Sequence, residues 1–198
     1  MSVLVAGVGN IFRSDDGFGS EAARRLASVQ LPERVRVVDY GIRGMHLAYD
    51  LLDGYDALVI LDAAPRGGAA GDIVVLEVGH SEIQGGGLGT GELDAHGMEP
   101  TAVLASLGAL GGRLPRTFVV GCEPADVSEG IGLSPAVAAA AERAVGVVTD
   151  LLANELAPAG PAGTGSGART SSHPSIHPSV GTTRHEIGSN NSAEEHVA

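Results

Sequence analysis

The sequence Gly-Val-Gly-Asn-Ile-Phe-Arg-Ser-Asp-Asp-Gly-Phe-Gly, residues 7–19, decides the fold of this chain. It follows an apolar run at residues 3–6 and precedes an alanine-rich segment with helical spacing. A short β-branched run that ends in glycines before such a segment indicates a strand, a loop and a helix. Open α/β sheets bind ligands at the carboxyl ends of their strands. Two adjacent carboxylates, Asp15 and Asp16, lie at such a position.

Nucleotide binding is a poor interpretation of this loop. Gly7-x-Gly9 begins like a dinucleotide-binding fingerprint, but Phe12 stands where the third glycine belongs and two acids follow. A phosphate-binding P-loop requires a lysine, and the chain has none. We expect one of the two aspartates to cap the helix that begins near Gly17. We expect the other to be a metal ligand or a catalytic group, since adjacent acids repel unless a cation or proton relieves them.

The composition favours one globular domain and excludes several classes of partner. The chain has 198 residues, 43% of them hydrophobic, and a formal net charge of -12 without a basic cluster. Nucleic acid and anionic membrane surfaces are therefore unsuitable partners. We see no apolar run of about 18 residues and no signal peptide. With one cysteine, Cys122, no intrachain disulfide forms. Together with the missing signal peptide, this predicts a cytoplasmic protein. We also expect the protein to be monomeric when free.

The remaining apolar segments predict an α/β fold. Strands are expected at 35–40, 57–61, 72–78 and 116–122, and helices at 20–29, at 45–52, after Pro100 and after Pro135. The third strand is almost entirely apolar, as in a parallel sheet covered on both faces. Its short link to the fourth strand predicts an antiparallel pairing at an edge. We predict a mostly parallel five-stranded sheet with helices on both faces.

Two segments differ from this pattern. Residues 79–94 are rich in glycine and predict a long surface loop or a flap. Residues 157–198 consist largely of Gly, Pro, Ser, Thr and His and predict a disordered tail. The folded domain is therefore expected to comprise residues 1–156.

Two further residues join Asp16 as candidates for a site. Asp62 follows the third strand and, in a parallel sheet, lies at the same edge as Asp16, although a turn residue is also common there. His96 lies between the glycine-rich loop and the next helix, where a surface or capping role is the plain alternative. Two carboxylates and one imidazole suit a borderline divalent cation with open positions. Cys122 is interpreted as a small buried thiol and not as a nucleophile.

The chain resembles the hydrogenase maturation proteases over roughly residues 3–152. The shared motifs are Gly7-x-Gly9-Asn10 with Asp15-Asp16-Gly17-x-Gly19, the strand that ends in Asp62-Ala63, a histidine before the next helix, and Gly121-Cys122-Glu123-Pro124 with Gly130 and Leu133-Ser134. The resemblance implies a twisted α/β sheet between helices. One departure is Ala95, since many relatives have a serine directly before the histidine.

Members of that family remove a short C-terminal extension from the large subunit of nickel-iron hydrogenase after nickel insertion. The resemblance therefore implies an endopeptidase, of aspartyl or metallo type, whose partner is the hydrogenase large-subunit precursor. It also implies that Asp16, Asp62 and His96 contact Ni²⁺ presented by that precursor and carry the catalysis. Two alternatives stay open: the three residues only recognise nickel, or the protein is a non-enzymatic nickel-binding checkpoint or chaperone.

Overall fold

The computed structural model describes residues 1–78 and 100–156. Within these residues the strands are β1 (Val3–Val8), β2 (Val35–Gly41), β3 (Ala57–Ala63), β4 (Ile73–Val78) and β5 (Arg116–Cys122). The helices are α1 (Phe18–Leu26), α2 (Gly44–Leu51), α3 (Pro100–Ala109) and α4 (Pro135–Asn154), and a short 3-10 helix (Ser14–Gly17) precedes α1. The glycine-rich segment 79–94 and the tail 157–198 lie outside the described residues, so what the sequence predicts of them stays a prediction.

The strands form one sheet in the order β2-β1-β3-β5-β4. The pairs β1–β2, β1–β3 and β3–β5 are parallel, and among the strands of the described residues only β4 runs antiparallel, at the edge beside β5. The predicted mostly parallel sheet with an antiparallel edge strand is confirmed. The partner of β4 is β5 and not β3, because β1 and β5 already occupy both sides of β3.

Helices cover both faces of the sheet, as predicted. On one face α1 and α4 pack over the strands, and on the other face α2 and α3 do so. Successive residues of β3 enter opposite cores: Val59 and Leu61 face α1 and α4, whereas Leu58 and Ile60 face α2 and α3. All four side chains are at most 1% exposed, which explains why β3 is apolar without alternation. Among the described residues, no helix is long and apolar enough to cross a membrane.

The apolar spacing in the sequence extends beyond the ends of two helices. Val29 and Leu110 continue the apolar spacing of α1 and α3, yet their side chains are 40% and 41% exposed. The reason is that α1 ends at Leu26 and α3 ends at Ala109, so both residues fall beyond the last helical turn. Hydrophobic periodicity therefore locates these helices but not their ends.

Glycine at position 19 brings α1 onto the ends of two strands. A Cβ atom there would collide with the backbone carbonyl oxygens of Val8 and Leu61. Gly7 faces it across this contact, since a Cβ at Gly7 would collide with the carbonyl oxygen of Gly19. The first turn of α1 consequently lies directly against the carboxyl ends of β1 and β3. The 3-10 helix that carries Asp16 is thereby held above the same edge of the sheet.

We predict that Gly19→Ala destabilises the protein by about 1–3 kcal/mol, because the new methyl group meets backbone atoms that cannot move aside. The measurement is the urea midpoint of unfolding. Gly146→Ala is the matched control: position 146 lies within α4 with open space around its Cβ, and alanine is expected to stabilise it by roughly 0.5–1 kcal/mol. An unchanged midpoint for Gly19→Ala would contradict the close packing.

Candidate active site

The loop after β1 folds back on itself and fixes Asp16. Gly9 has a φ of 127°, and a Cβ there would collide with the carbonyl oxygen of Asp16. The Asp16 carboxylate accepts the backbone N–H of Asn10 through Oδ2 at 2.7 Å. The Asn10 side chain in turn accepts the backbone N–H of Phe12 at 3.0 Å. The half-buried Asp16 is therefore oriented by the backbone of its own loop, and its Oδ1 accepts no hydrogen bond from the described residues.

The neighbouring Asp15 has a different role. Its side chain is 0% exposed and accepts three backbone N–H groups, from Ser134 at 2.6 Å, Ala125 at 2.8 Å and Asp126 at 3.1 Å. Burial opposes its ionisation, but these hydrogen bonds outweigh burial and lower the pKa of Asp15 below its ordinary value. The prediction that one of the two aspartates caps α1 is wrong. The N-cap residue of α1 is Gly17, and no side chain caps this helix.

Further hydrogen bonds join the loop after β1 to the loop between β5 and α4. They run from the Ser14 N–H to the Gly130 carbonyl at 3.1 Å, from the Gly130 N–H to the Phe12 carbonyl at 2.9 Å, from the Asp15 N–H to the Asp126 carbonyl at 3.0 Å, and from Arg13 Nε to the Val127 carbonyl at 3.0 Å. Ser14 has a φ of 48°, in the left-handed region that is costly for a residue with a Cβ. The two loops thus form one cross-linked unit that includes Asp16. We call this unit the paired loops (residues 10–16 and 124–134).

Asp62 lies in β3, one residue beyond Leu61, whose register partner on β1 is Gly7. Its side chain is half-buried. Burial first, and then the negative charge of Asp16, raise the pKa of Asp62 well above its ordinary value, and a hydrogen bond from the Ala63 backbone offsets this only in part. The structure thus brings Asp16 and Asp62 together at the carboxyl edge of the sheet.

His96 lies outside the described residues, so its place relative to the two aspartates stays a prediction. In residues 1–78 and 100–156, no three His, Cys, Asp or Glu side chains converge as a metal site. The described part of the chain therefore supplies the two carboxylates of the predicted set of three residues. The roles of all three residues, in catalysis or in metal binding, remain predictions at this point.

Glu123 is a structural residue of the site that the sequence did not single out as such. Its carboxylate accepts the backbone N–H groups of Arg66 at 2.7 Å and Gly67 at 3.2 Å, and its backbone pairs with Asp72 and Gly71. These bonds hold the chain directly after Asp62 against the end of β5. A glutamate before a proline at the end of a strand is a visible signal, but its partners lie more than 50 residues away.

Asp39 is a further carboxylate at this edge, and the sequence shows it only as part of a strand. It is the register partner of Gly7 on β2. Its Oδ1 accepts the Ser20 hydroxyl at 2.7 Å and the Gly41 N–H at 2.9 Å. Asp39 therefore ties the first turns of α1 to the end of β2.

The thiol of Cys122 is not available as a nucleophile. The side chain is 0% exposed, and burial, reinforced by the charge of Asp15, raises the pKa of Cys122 to about 11. The thiol is therefore protonated at neutral pH. This confirms the interpretation of Cys122 as a buried core residue.

The structure is that of an α/β protein with a carboxylate site. Asp16 and Asp62 lie at the carboxyl edge of a mostly parallel sheet, and the one thiol of the chain is buried. The profile of the hydrogenase maturation protease family matches residues 21–151 of the chain. The chain belongs to the hydrogenase maturation protease family. The matched residues include Asp62 and His96, whereas Asp16 lies just before them.

Individual relatives agree with this assignment. The chain is 32% identical to the hydrogenase 2 maturation protease of Escherichia coli over 147 residues, 73% of this chain and 87% of that protein. It is 31% identical to the hydrogenase expression/formation protein HupD of Rhodobacter capsulatus over 138 residues, 69% of this chain. That match spans 64% of the length of HupD, a little under two thirds.

A solved structure confirms the fold. The hydrogenase maturating endopeptidase HybD from E. coli superimposes with a TM-score of 0.66 at 31% identity. The superposition covers 78% of this chain and 94% of HybD. The mostly parallel five-stranded sheet is thus the fold of a hydrogenase maturation protease.

We predict that Asp15→Asn destabilises the protein by about 2–3 kcal/mol at pH 7, because an amide cannot accept all three backbone N–H groups. A carboxyl with a lowered pKa stabilises the fold above its unfolded pKa of about 3.9 and loses that contribution as the pH falls further. The difference between wild type and Asp15→Asn should therefore shrink below about pH 4. Urea unfolding from pH 7 to pH 3 measures it, with the exposed Asp53→Asn as control. A difference that is independent of pH would contradict this role.

We predict the opposite pH trend for Asp62→Asn in protein freed of metal. A carboxyl with a raised pKa stabilises the fold only while it holds its proton, so stability falls as the pH rises above about 4. Asparagine lacks this loss, and the melting temperature of the variant should exceed that of wild type by a few degrees at pH 7 but not near pH 4. Thermal unfolding with EDTA at both pH values tests this, again beside Asp53→Asn. A variant less stable than wild type at pH 7 would show that Asp62 is not under electrostatic stress.

Proposed function

We propose that this protein is an endopeptidase that removes the C-terminal extension of a nickel-loaded [NiFe] hydrogenase large-subunit precursor. Membership of the hydrogenase maturation protease family supports the protease activity and its role in hydrogenase maturation. The finer points, which are the precursor, the extension and nickel, rest on the motifs of the sequence. The observation that carries the proposal is the electrostatic coupling of Asp16 and Asp62 at one edge of the sheet.

Two carboxylates in this arrangement do not both carry a full negative charge at low cost. Burial and the charge of Asp16 already favour a proton on Asp62. A proton on Asp62, or a cation near both carboxyl groups, relieves this repulsion. Peptide hydrolysis uses both: a proton for the leaving amine and positive charge near the scissile carbonyl.

The residues present fit a nickel ion presented by the precursor. Asp16 and Asp62 would hold it together with His96, and carboxylate with imidazole is a donor set that suits a borderline divalent cation. Asp16 retains an oxygen that accepts no hydrogen bond from the described residues, whereas its other oxygen is occupied by the Asn10 N–H. When bound, such an ion polarises a carbonyl and lowers the pKa of a bound water.

The two aspartates can also perform the proton transfers of hydrolysis. The Asp16 carboxylate, oriented by Asn10, accepts a proton from the water whose oxygen attacks the scissile carbonyl carbon. Asp62 holds a proton while no ion is bound to it, because its pKa is then raised, and in that state it can give the proton to the leaving nitrogen as the C–N bond breaks. When Asp62 binds the ion it is deprotonated, and Asp16 passes the proton that it took from the water to the leaving nitrogen instead. The products are a new C-terminal carboxyl group and the released extension with a free amine.

The test is cleavage of a purified large-subunit precursor, nickel-loaded or nickel-free, followed by intact mass. We expect wild-type protein to release one C-terminal peptide from the nickel-loaded form. Asp16→Asn and Asp62→Asn should each slow this reaction by about 10²-fold or more, the usual contribution of a general acid or base. His96→Ala is expected to have a comparable effect, and Asp53→Asn should cleave like wild type.

Each part of the proposal has its own contradicting outcome. Wild-type cleavage rates in Asp16→Asn would remove that residue from the mechanism. Equal cleavage of nickel-free precursor would refute nickel dependence and leave the protease activity standing. Wild-type protein that binds the nickel-loaded precursor without cutting it would favour the non-enzymatic checkpoint.

A further inference from the structure

The paired loops expose several apolar side chains next to the site. Ile131 is 85% exposed, Phe12 64%, Ile11 52% and Val127 37%. Single exposed apolar residues are ordinary on any protein surface. Here, however, the residues belong to two segments that are hydrogen-bonded to each other, through Phe12 and Gly130 and through Arg13 and Val127. We call these four side chains the apolar patch; they belong to two loops that these hydrogen bonds hold together.

A surface pocket opens on this patch. Its volume is about 570 Å³, and the described part of its wall comes from Asn10, Phe12, Arg13 and Glu129. This volume lies within the range of roughly 300–1,000 Å³ that is usual for ligand sites. Asn10 connects the pocket to the catalytic aspartates, because its backbone N–H donates to Asp16. A molecule bound in the pocket thus lies next to the reacting groups.

The pocket has both a hydrogen-bond donor and a hydrogen-bond acceptor beside its apolar surface. Arg13 donates through Nε to the Val127 carbonyl, and its Nη groups donate to none of the described residues. The Glu129 carboxylate likewise accepts from none of the described residues. A guanidinium that can donate and a carboxylate that can accept match the alternating carbonyl and N–H groups of an extended peptide. Phe12 provides an aromatic surface for one of that peptide's side chains.

We propose that this pocket binds the segment of the precursor that adjoins the cleaved bond, and that the segment presents a large apolar side chain to Phe12 and Ile131. This inference rests on the proposed function, since the peptide is that of the precursor. The peptide backbone donates to Glu129 and accepts from Arg13. The pocket thereby selects the cleavage position, while the aspartates perform the reaction.

The rigidity of the paired loops supports recognition of this kind. Asp15 and the bonds between the two segments hold the loops before any substrate arrives. A preformed surface loses less conformational entropy on binding than one that must first become ordered. An endopeptidase also needs several contacts beside the scissile bond to hold it within reach of its catalytic groups.

The test compares the double variant Phe12→Ser/Ile131→Ser with Val29→Ser. All three positions are at least 40% exposed, so the fold should tolerate serine. Val29 follows the end of α1, whose beginning lies at the site, and is therefore at the far end of the sheet. Affinity for nickel-loaded precursor is measured by calorimetry in an Asp16→Asn background, which blocks cleavage. The same substitutions in otherwise wild-type protein give KM and kcat.

We expect the double variant to bind the precursor about tenfold more weakly or worse, with a matching rise in KM, and Val29→Ser to be unchanged. Wild-type affinity and KM in the double variant would overturn the pocket, as would an equal loss in Val29→Ser. Binding that depends on Phe12 and Ile131 without any cleavage by wild-type protein would support the pocket and refute the protease. Wild-type protein that neither binds nor cleaves the precursor would refute both proposals.

Discussion

The buried carboxylate of Asp15 is the interaction on which the rest of the site depends. It joins the loop after β1 to the segment between β5 and α4 through backbone N–H groups that have no other acceptor among the described residues. A single charged group thus accepts three backbone N–H groups from a segment that is distant in sequence. Because Ser134 is also the N-cap of α4, the same carboxylate connects the first loop to the start of the longest helix.

The pKa values of the carboxyl groups at this edge of the sheet shift in opposite directions, because their immediate surroundings differ. Backbone N–H groups surround Asp15 and keep its pKa low despite complete burial. Asp62 receives one such bond, and burial, followed by the charge of Asp16, raises its pKa. Asp15 is therefore a structural carboxylate, whereas a carboxyl group with a raised pKa beside a second acid, like Asp62, is typical of functional sites.

The sequence predicts the sheet and its edge well, because these depend on local signals. The apolar run of β3 indicates a strand covered on both faces, and Asp62 is visible at its end. Which of the adjacent aspartates is structural cannot be derived locally, since the partners of Asp15 lie more than 100 residues away. The same holds for Glu123, whose contacts with Arg66 and Gly67 arise only when β3 and β5 become neighbours.

The loop after β1 carries both the Asp16 carboxylate and two exposed apolar side chains, and its geometry explains how these are arranged. The turn at Gly9 and the left-handed Ser14 direct Asp16 towards β3, while Ile11 and Phe12 between them stay exposed. The hydrogen bonds of Asn10 reach both groups, since its N–H donates to Asp16 and its side chain accepts from Phe12. A peptide that displaces Phe12 would therefore alter the bonds of Asn10 and, through them, the position of Asp16. The loop thus connects the exposed Phe12 to the position of the Asp16 carboxylate.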